Sequence, residues 1–248
     1  MNTVSSMLAT FVRPAVGIST SPAQVKPTQT LELYDMEGCP FCRLTREALT
    51  ELDINAMIYP CPKNGERFRP KVIEMGGKAQ FPFLVDPNTG AQIYESVDTI
   101  EYLFKTYGKR PVPIKWQLSA LQKIGSAFAS ALRPASGTRV KPSRLPEKPL
   151  ELYSFESSPF ARPVRELLTE MEIPYLLRSA GRVGWQDWLP PVLREKLDIQ
   201  VESTLESRIE LQKRAGTVSI PYLVDPNTGV EMAESSDIIS YLETTYGA

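Results

Sequence analysis

The chain has 248 residues, 42% of them hydrophobic, which is enough for two ordinary domains with cores of their own. Its 28 basic and 29 acidic side chains leave a formal net charge of −1, so nothing draws it to nucleic acid or to an acidic membrane surface. Histidine is absent, which excludes a Ser-His-Asp triad, a Cys-His protease and any histidine metal ligand.

Residues 1–30 hold no acidic group and many Ser and Thr, the composition of an organellar transit peptide, with a plastid as its destination. The same stretch has a partner inside the chain. Arg13-Pro14-Ala15 returns as Arg133-Pro134-Ala135, and the small apolar helical segments Met7 to Val12 and Ala127 to Leu132 precede them. An internal partner favours a structural, helical N-terminal extension over a leader.

The alternating run Leu31-Glu32-Leu33-Tyr34 predicts a strand. From Arg43 to Asp53 the spacing is helical, with Leu44, Ala48, Leu49 and Leu52 on one face. Between the two lies Cys39-Pro40-Phe41-Cys42. Cys39 therefore falls at a helix N-terminus, where unpaired backbone N–H groups and the helix dipole favour the nucleophilic thiolate. Pro40 suits the first helical turn. Cys42 follows one turn later, within reach to resolve a mixed disulfide. Buried structural thiols or half a zinc site are the alternatives. Zinc wants four ligands, and the chain offers one more cysteine, Cys61. Three cysteines are too few for a disulfide-stapled secreted protein and suit a reducing compartment such as the cytoplasm. No apolar run approaches the roughly 20 residues of a membrane span.

A second strand is predicted at Ala56 to Tyr59, then a basic helix near Arg67 to Met75. Cys61 lies just past that strand, either as an extra resolving thiol or as a bystander. Lys63, Arg67, Arg69 and Lys71 either steer an anionic ligand or form a solvated face. Pro82 to Val85 reads as a strand, Asp86-Pro87-Asn88-Thr89-Gly90 as a turn, Ala91 to Tyr94 as a strand and Ser96 to Tyr107 as a helix. The whole pattern then repeats. Leu31 to Tyr34 returns as Leu150 to Tyr153, Arg43 and Arg46 as Arg162 and Arg165, Leu84 to Gly90 unchanged as Leu223 to Gly229, and Glu95-Ser96 as Glu234-Ser235. About twenty extra residues enter the second copy between Pro174 and Ser219, among them Trp185, Trp188 and Pro190-Pro191. The expected division is an extension at 1–30, a first domain at 31–110, a helix with a Pro- and Arg-rich linker at 111–149, and a second domain at 150–248.

On these residues the chain resembles the thioredoxin superfamily, in its glutaredoxin and glutathione-transferase N-terminal branch. Cys39-Pro40-Phe41-Cys42 is similar to the motif of dithiol glutaredoxins. Gln80-Phe81-Pro82-Phe83-Leu84 resembles the segment that ends in a cis proline facing the thiols, and Glu95-Ser96 with Asp98 resembles the motif holding the γ-glutamyl end of glutathione. The likeness extends to tandem glutaredoxin-like proteins of cyanobacteria and plastid-bearing organisms, and more distantly to a prostaglandin E synthase with the same CPFC motif. It implies an α/β fold of two tandem thioredoxin-like domains, each a four-stranded mixed sheet with flanking helices. It also implies glutathione as cosubstrate, no metal, catalytic Cys39 and Cys42, and a glutathione site at Phe81, Pro82, Glu95 and Ser96.

Two departures qualify it. A second thioredoxin-like copy stands where transferases carry a helical domain, and Glu37-Gly38 stands where glutaredoxins commonly have a lysine; an acid there opposes the thiolate, with Arg43 and Arg46 to offset it. In the second copy Ser158 and Ala161 replace the cysteines. Ser157, Ser158, Pro221, Glu234 and Ser235 make either a degenerate glutathione site or part of a scaffold that docks a protein partner. The expected activity is glutathione-linked thiol–disulfide exchange on a disulfide or glutathionylated substrate. Its rivals are a non-catalytic redox-responsive scaffold or assembly factor, a glutathione transferase or glutathione-dependent isomerase, and iron–sulfur ligation.

Overall fold

Residues 17–113, 116, 136–184 and 203–248 are described by the computed structural model. The expected helical segments at 7–12 and 127–132, the Arg-Pro-Ala pairing and the tryptophans of the insertion lie outside them. In the first copy the elements are β1 (Leu31–Asp35), α1 (Pro40–Leu52), β2 (Ala56–Pro60), α2 (Arg69–Gly76), β3 (Phe83–Asp86), β4 (Ala91–Tyr94) and α3 (Ser96–Leu103), which widens into a π-turn at Phe104–Gly108. The second copy repeats them as β5 (Leu150–Ser154), α4 (Ala161–Glu170), β6 (Tyr175–Ser179), α5 (Glu206–Ala215), β7 (Tyr222–Asp225), β8 (Val230–Ala233) and α6 (Ser235–Tyr246). These are the tandem thioredoxin-like domains expected, with β1 parallel to β2 as the intervening helix requires and β3 antiparallel to β4 across the tight turn; β3 also runs antiparallel to β1.

The eight strands form one sheet in the order β4-β3-β1-β2-β6-β5-β7-β8. Its palindrome relates the copies by a pseudo-two-fold axis through the antiparallel β2–β6 join, where Ala56, Met57 and Ile58 face Leu177, Leu176 and Tyr175. Each β2-type strand would be an open edge in a lone domain; here each covers the other. One apolar cluster runs through both halves, from Leu31, Leu33 and Leu49 to Leu152, Leu168 and Leu223.

Helix α1 shows what the join does. Leu44, Ala48, Leu49 and Leu52 are buried as their spacing predicts, but so are Arg43, Thr45, Arg46, Glu47, Thr50 and Glu51. The polar face too is buried, with charged partners from the second copy. Helix α4 repeats this with Arg162, Arg165 and Glu166.

The stretch expected to be a linker packs as an arm. Gly38 N–H donates to Gly137 O at 3.2 Å, Lys63 N–H to Thr138 O at 2.6 Å and Lys141 N–H to Glu170 O at 2.6 Å. The chain ahead of the first copy mirrors it: Ser157 N–H donates to Gly17 O at 3.0 Å, Thr20 N–H to Arg182 O at 2.7 Å and Ser21 N–H to Glu51 O at 2.7 Å. Each arm thus crosses the other copy's thiol-type loop before entering its own first strand.

Candidate active site

Cys39 is the N-cap of α1, with extended backbone (φ −83°, ψ 123°) and Pro40 in the first turn. It is partly exposed, whereas Cys42 is fully buried. The Cys42 thiol donating to its sulfur pulls the Cys39 titration down to about 7. Burial opposes this, while the backbone N–H groups of Cys42 and Phe41 and the Arg46 guanidinium add to it. Cys42 moves the other way, raised first by burial and then by Cys39 and Asp35. A low thiol on the outside and a high one beneath it is the division of labour that a nucleophile and a resolving thiol need. Phe41, between them, is exposed at 41%.

The Phe81–Pro82 bond is cis, as is Ile220–Pro221 in the second copy. Glu95 is exposed and holds φ +68° with ψ 133°, a conformation that L side chains rarely adopt. The Gln80 amide donates to its carboxylate. Ser96 opens α3 and is buried. Arg69 lies 4.7 Å over the Phe81 ring and donates to Cys61 O at 3.0 Å, so this basic residue borders the cis-proline segment. Arg67 instead ties the copies together, donating to Ser143 Oγ and Met171 O at 2.9 and 2.7 Å. Cys61 is buried among Tyr34, Phe68, Val72 and Phe83, and burial raises its thiol well above the ordinary range. That is the environment of a bystander.

In the second copy Ser158 Oγ accepts from Ala161 N–H at 3.1 Å, and Ser157 Oγ accepts from Arg43 at 3.3 Å. Both serines are 2% exposed, their hydroxyls engaged inside the protein. Pro221 is buried, while Glu234 repeats the +68° φ and Ser235 opens α6.

Behind Cys39 lies a buried ion cluster that sequence reasoning missed. Arg46 pairs with Asp35, with Glu37 at 3.0 Å and with Glu156 at 2.9 Å. Arg165 answers from the second copy, pairing with Glu37 at 3.0 Å and Glu156 at 3.3 Å. Arg43–Glu47 and Arg162–Glu166 flank them at 3.0 and 3.3 Å. Burial raises Asp35 to about 6 against the pull of Arg46. Burial works on Glu156 too, but Arg165 and Arg46 outweigh it and hold that carboxyl at about 2. One signal was present in the sequence: Glu37, Arg43, Arg46 and Glu47 all return as Glu156, Arg162, Arg165 and Glu166, although the cysteines do not.

The family pattern "Glutathione S-transferase, N-terminal domain" matches residues 33–111 and again 152–248. The chain belongs to that family, which it carries twice. Among solved structures it is similar to the Bombyx mori glutathione transferase BmGSTD1, at 29% identity over 34% of this chain and 39% of that one, with a TM-score of 0.30. It is also similar to a Nilaparvata lugens delta-class glutathione transferase, at 28% identity over 32% and 37% of the two chains, with a TM-score of 0.27. The chain thus spans about two-fifths of the length of these structures. No curated protein matches.

Proposed function

We propose that the first copy is a glutathione-linked thiol–disulfide oxidoreductase of glutaredoxin type, and that the second is a degenerate copy. The observation that carries this reading is the asymmetry of the thiols: Cys39 is partly exposed and titrates near 7, and Cys42 is buried beneath it with its proton retained. The Cys39 thiolate attacks a glutathionylated thiol at the glutathione sulfur. The substrate leaves as its thiolate, and the enzyme holds a Cys39–glutathione disulfide. A second glutathione thiolate then attacks that disulfide and leaves as glutathione disulfide, freeing Cys39; where Cys42 attacks instead, glutathione is released and the Cys39–Cys42 disulfide formed is reduced by two further glutathiones. In this reading Phe81 and Pro82 take the peptide part of glutathione, the backbone N–H groups at the Ser96 end of α3 take a carboxylate, and Glu95 takes an ammonium. Membership in the transferase family supports glutathione as the cosubstrate.

The test is glutathione-dependent reduction of a small mixed disulfide. Turnover is expected in the wild type and in Cys42→Ser, and its loss in Cys39→Ser. Full activity without Cys39 would overturn the mechanism. A second reading, a redox-responsive scaffold, is favoured by the ties of the CPFC loop to the second copy through Gly38–Gly137 and Glu37–Arg165. It predicts reversible formation of the Cys39–Cys42 disulfide without turnover.

A further inference from the structure

The second copy has no thiol pair, yet one of its side chains bears on the thiol pair of the first. Glu37 stands two residues before Cys39 and is only 2% exposed. A carboxylate so placed, out of water, opposes a neighbouring thiolate. The first copy supplies Arg46 against it, which also donates to Glu37 O at 3.3 Å and so holds the loop that leads into Cys39. But Arg46 is shared among Asp35, Glu37 and Glu156. One guanidinium facing three carboxylates leaves the cluster negative.

Arg165 supplies a second cation, so that two guanidiniums face the three carboxylates. Its Nε donates to Glu37 Oε2 at 3.1 Å and its Nη2 to Glu37 Oε1 at 3.0 Å, a bidentate clamp. The guanidinium is itself fixed, donating to Ser154 Oγ at 2.8 Å, Phe155 O at 3.2 Å and Glu156 O at 2.8 Å. Of the other charges packed here, Arg43–Glu47 and Arg162–Glu166 pair at its flanks, and each arginine also bears on a carboxylate of the other copy, Arg43 on Glu156 and Arg162 on Glu37.

We propose that Arg165 of the second copy is a positioning residue for Cys39: by clamping Glu37 it neutralises the acid two residues ahead of the thiol and leaves Arg46 available to the Cys39 side of the cluster. The retained copy then supplies electrostatics where it no longer supplies chemistry. This rests on Cys39 being the reactive thiol of the proposed exchange.

The experiment is iodoacetamide labelling of the reduced full-length chain at a series of pH values, with the Cys39 peptide followed by mass spectrometry. Arg165→Met is expected to move the labelling midpoint up and slow Cys39 labelling at neutral pH about fivefold. Glu37→Gln is expected to move the midpoint down. Joining the two substitutions is expected to restore it near the wild-type value, which mere loosening of structure does not do. A folded Arg165→Met with the wild-type midpoint overturns the proposal. If that variant does not fold, Glu37→Gln with an unmoved midpoint overturns it as well. Mixed-disulfide turnover, measured on the same samples, separates this inference from the functional one. Shifting midpoints without wild-type turnover leave Arg165 in its role and remove the oxidoreductase reading; turnover with unmoved midpoints does the reverse.

Discussion

At the scale of single residues, the two copies hold the same uncommon backbone conformation at Glu95 and Glu234, each with φ +68° just before a helix. Such a position costs an L residue about 1–3 kcal/mol and persists where the surroundings impose it. Glycine relieves the strain but frees the unfolded chain, so Glu95→Gly and Glu234→Gly are each expected to stabilise by about 1 kcal/mol net. Urea unfolding measures that gain. The two differ in binding: glutathione affinity is expected to fall in Glu95→Gly and hold in Glu234→Gly, and equal losses would return the second copy to the list of ligand sites. The thiols allow a companion test. Cys42 is the largest influence lowering Cys39, so Cys42→Ala is expected to raise the Cys39 labelling midpoint from about 7 toward the ordinary 9.0. The sign extends to stability. A thiol lowered by folding contributes stability that is present above its unfolded value and lost as pH falls through about 7. The urea midpoint of the reduced wild type, compared with Cys39→Ser, is therefore expected to rise between those two values.

At the scale of elements, the arms decide how close the copies lie. A side chain on Gly38 would run into Thr138 Cγ2 and stand 2.9 Å from Ser136 O. Gly38→Ala is thus expected to cost about 1–3 kcal/mol by pushing the arm outward. Trimming Thr138 to Ser should return part of that loss but not all, because the Ser136 contact is backbone. Comparing the urea midpoints of the single and double variants checks it. This packing marks where sequence reading stopped. Strands and helices were legible because apolar periodicity and turn formers are local signals, and the repeat doubled each of them; the cis proline followed from the resemblance to the family. The arm was read as a linker because its Pro, Ser and Arg residues carry no period; its order comes from backbone groups paired across long sequence separations. For the same reason the burial of the outer face of α1 was not legible. A buried Arg46 looks like a surface arginine until Glu156, 110 residues away, is seen to meet it.

For the whole molecule, these contacts are expected to make the two copies unfold as one cooperative unit. The sheet is continuous, the apolar cluster crosses the axis, and the charges that would be stranded by separation belong to both halves. Glu156 is the most direct probe, since it sits in the second copy and pairs with Arg46 of the first and Arg165 of its own. Removing one member of a buried ion network typically costs about 3–5 kcal/mol, so Glu156→Gln should lower the urea midpoint of the entire chain in one transition. Separate unfolding of the halves would show that the copies are merely tethered. The pH dependence carries the sign. Burial works against the Glu156 carboxylate, but the two arginines prevail and hold it at about 2, below the ordinary 4.5. A carboxyl depressed by folding stabilises above its unfolded value and loses that contribution as pH falls through its folded one. Wild type and Glu156→Gln should therefore differ most above pH 4.5 and converge as the pH drops toward 2. A gap that stays constant across that interval would mean that the substitution acts through packing, leaving the ion cluster no part in holding the copies together.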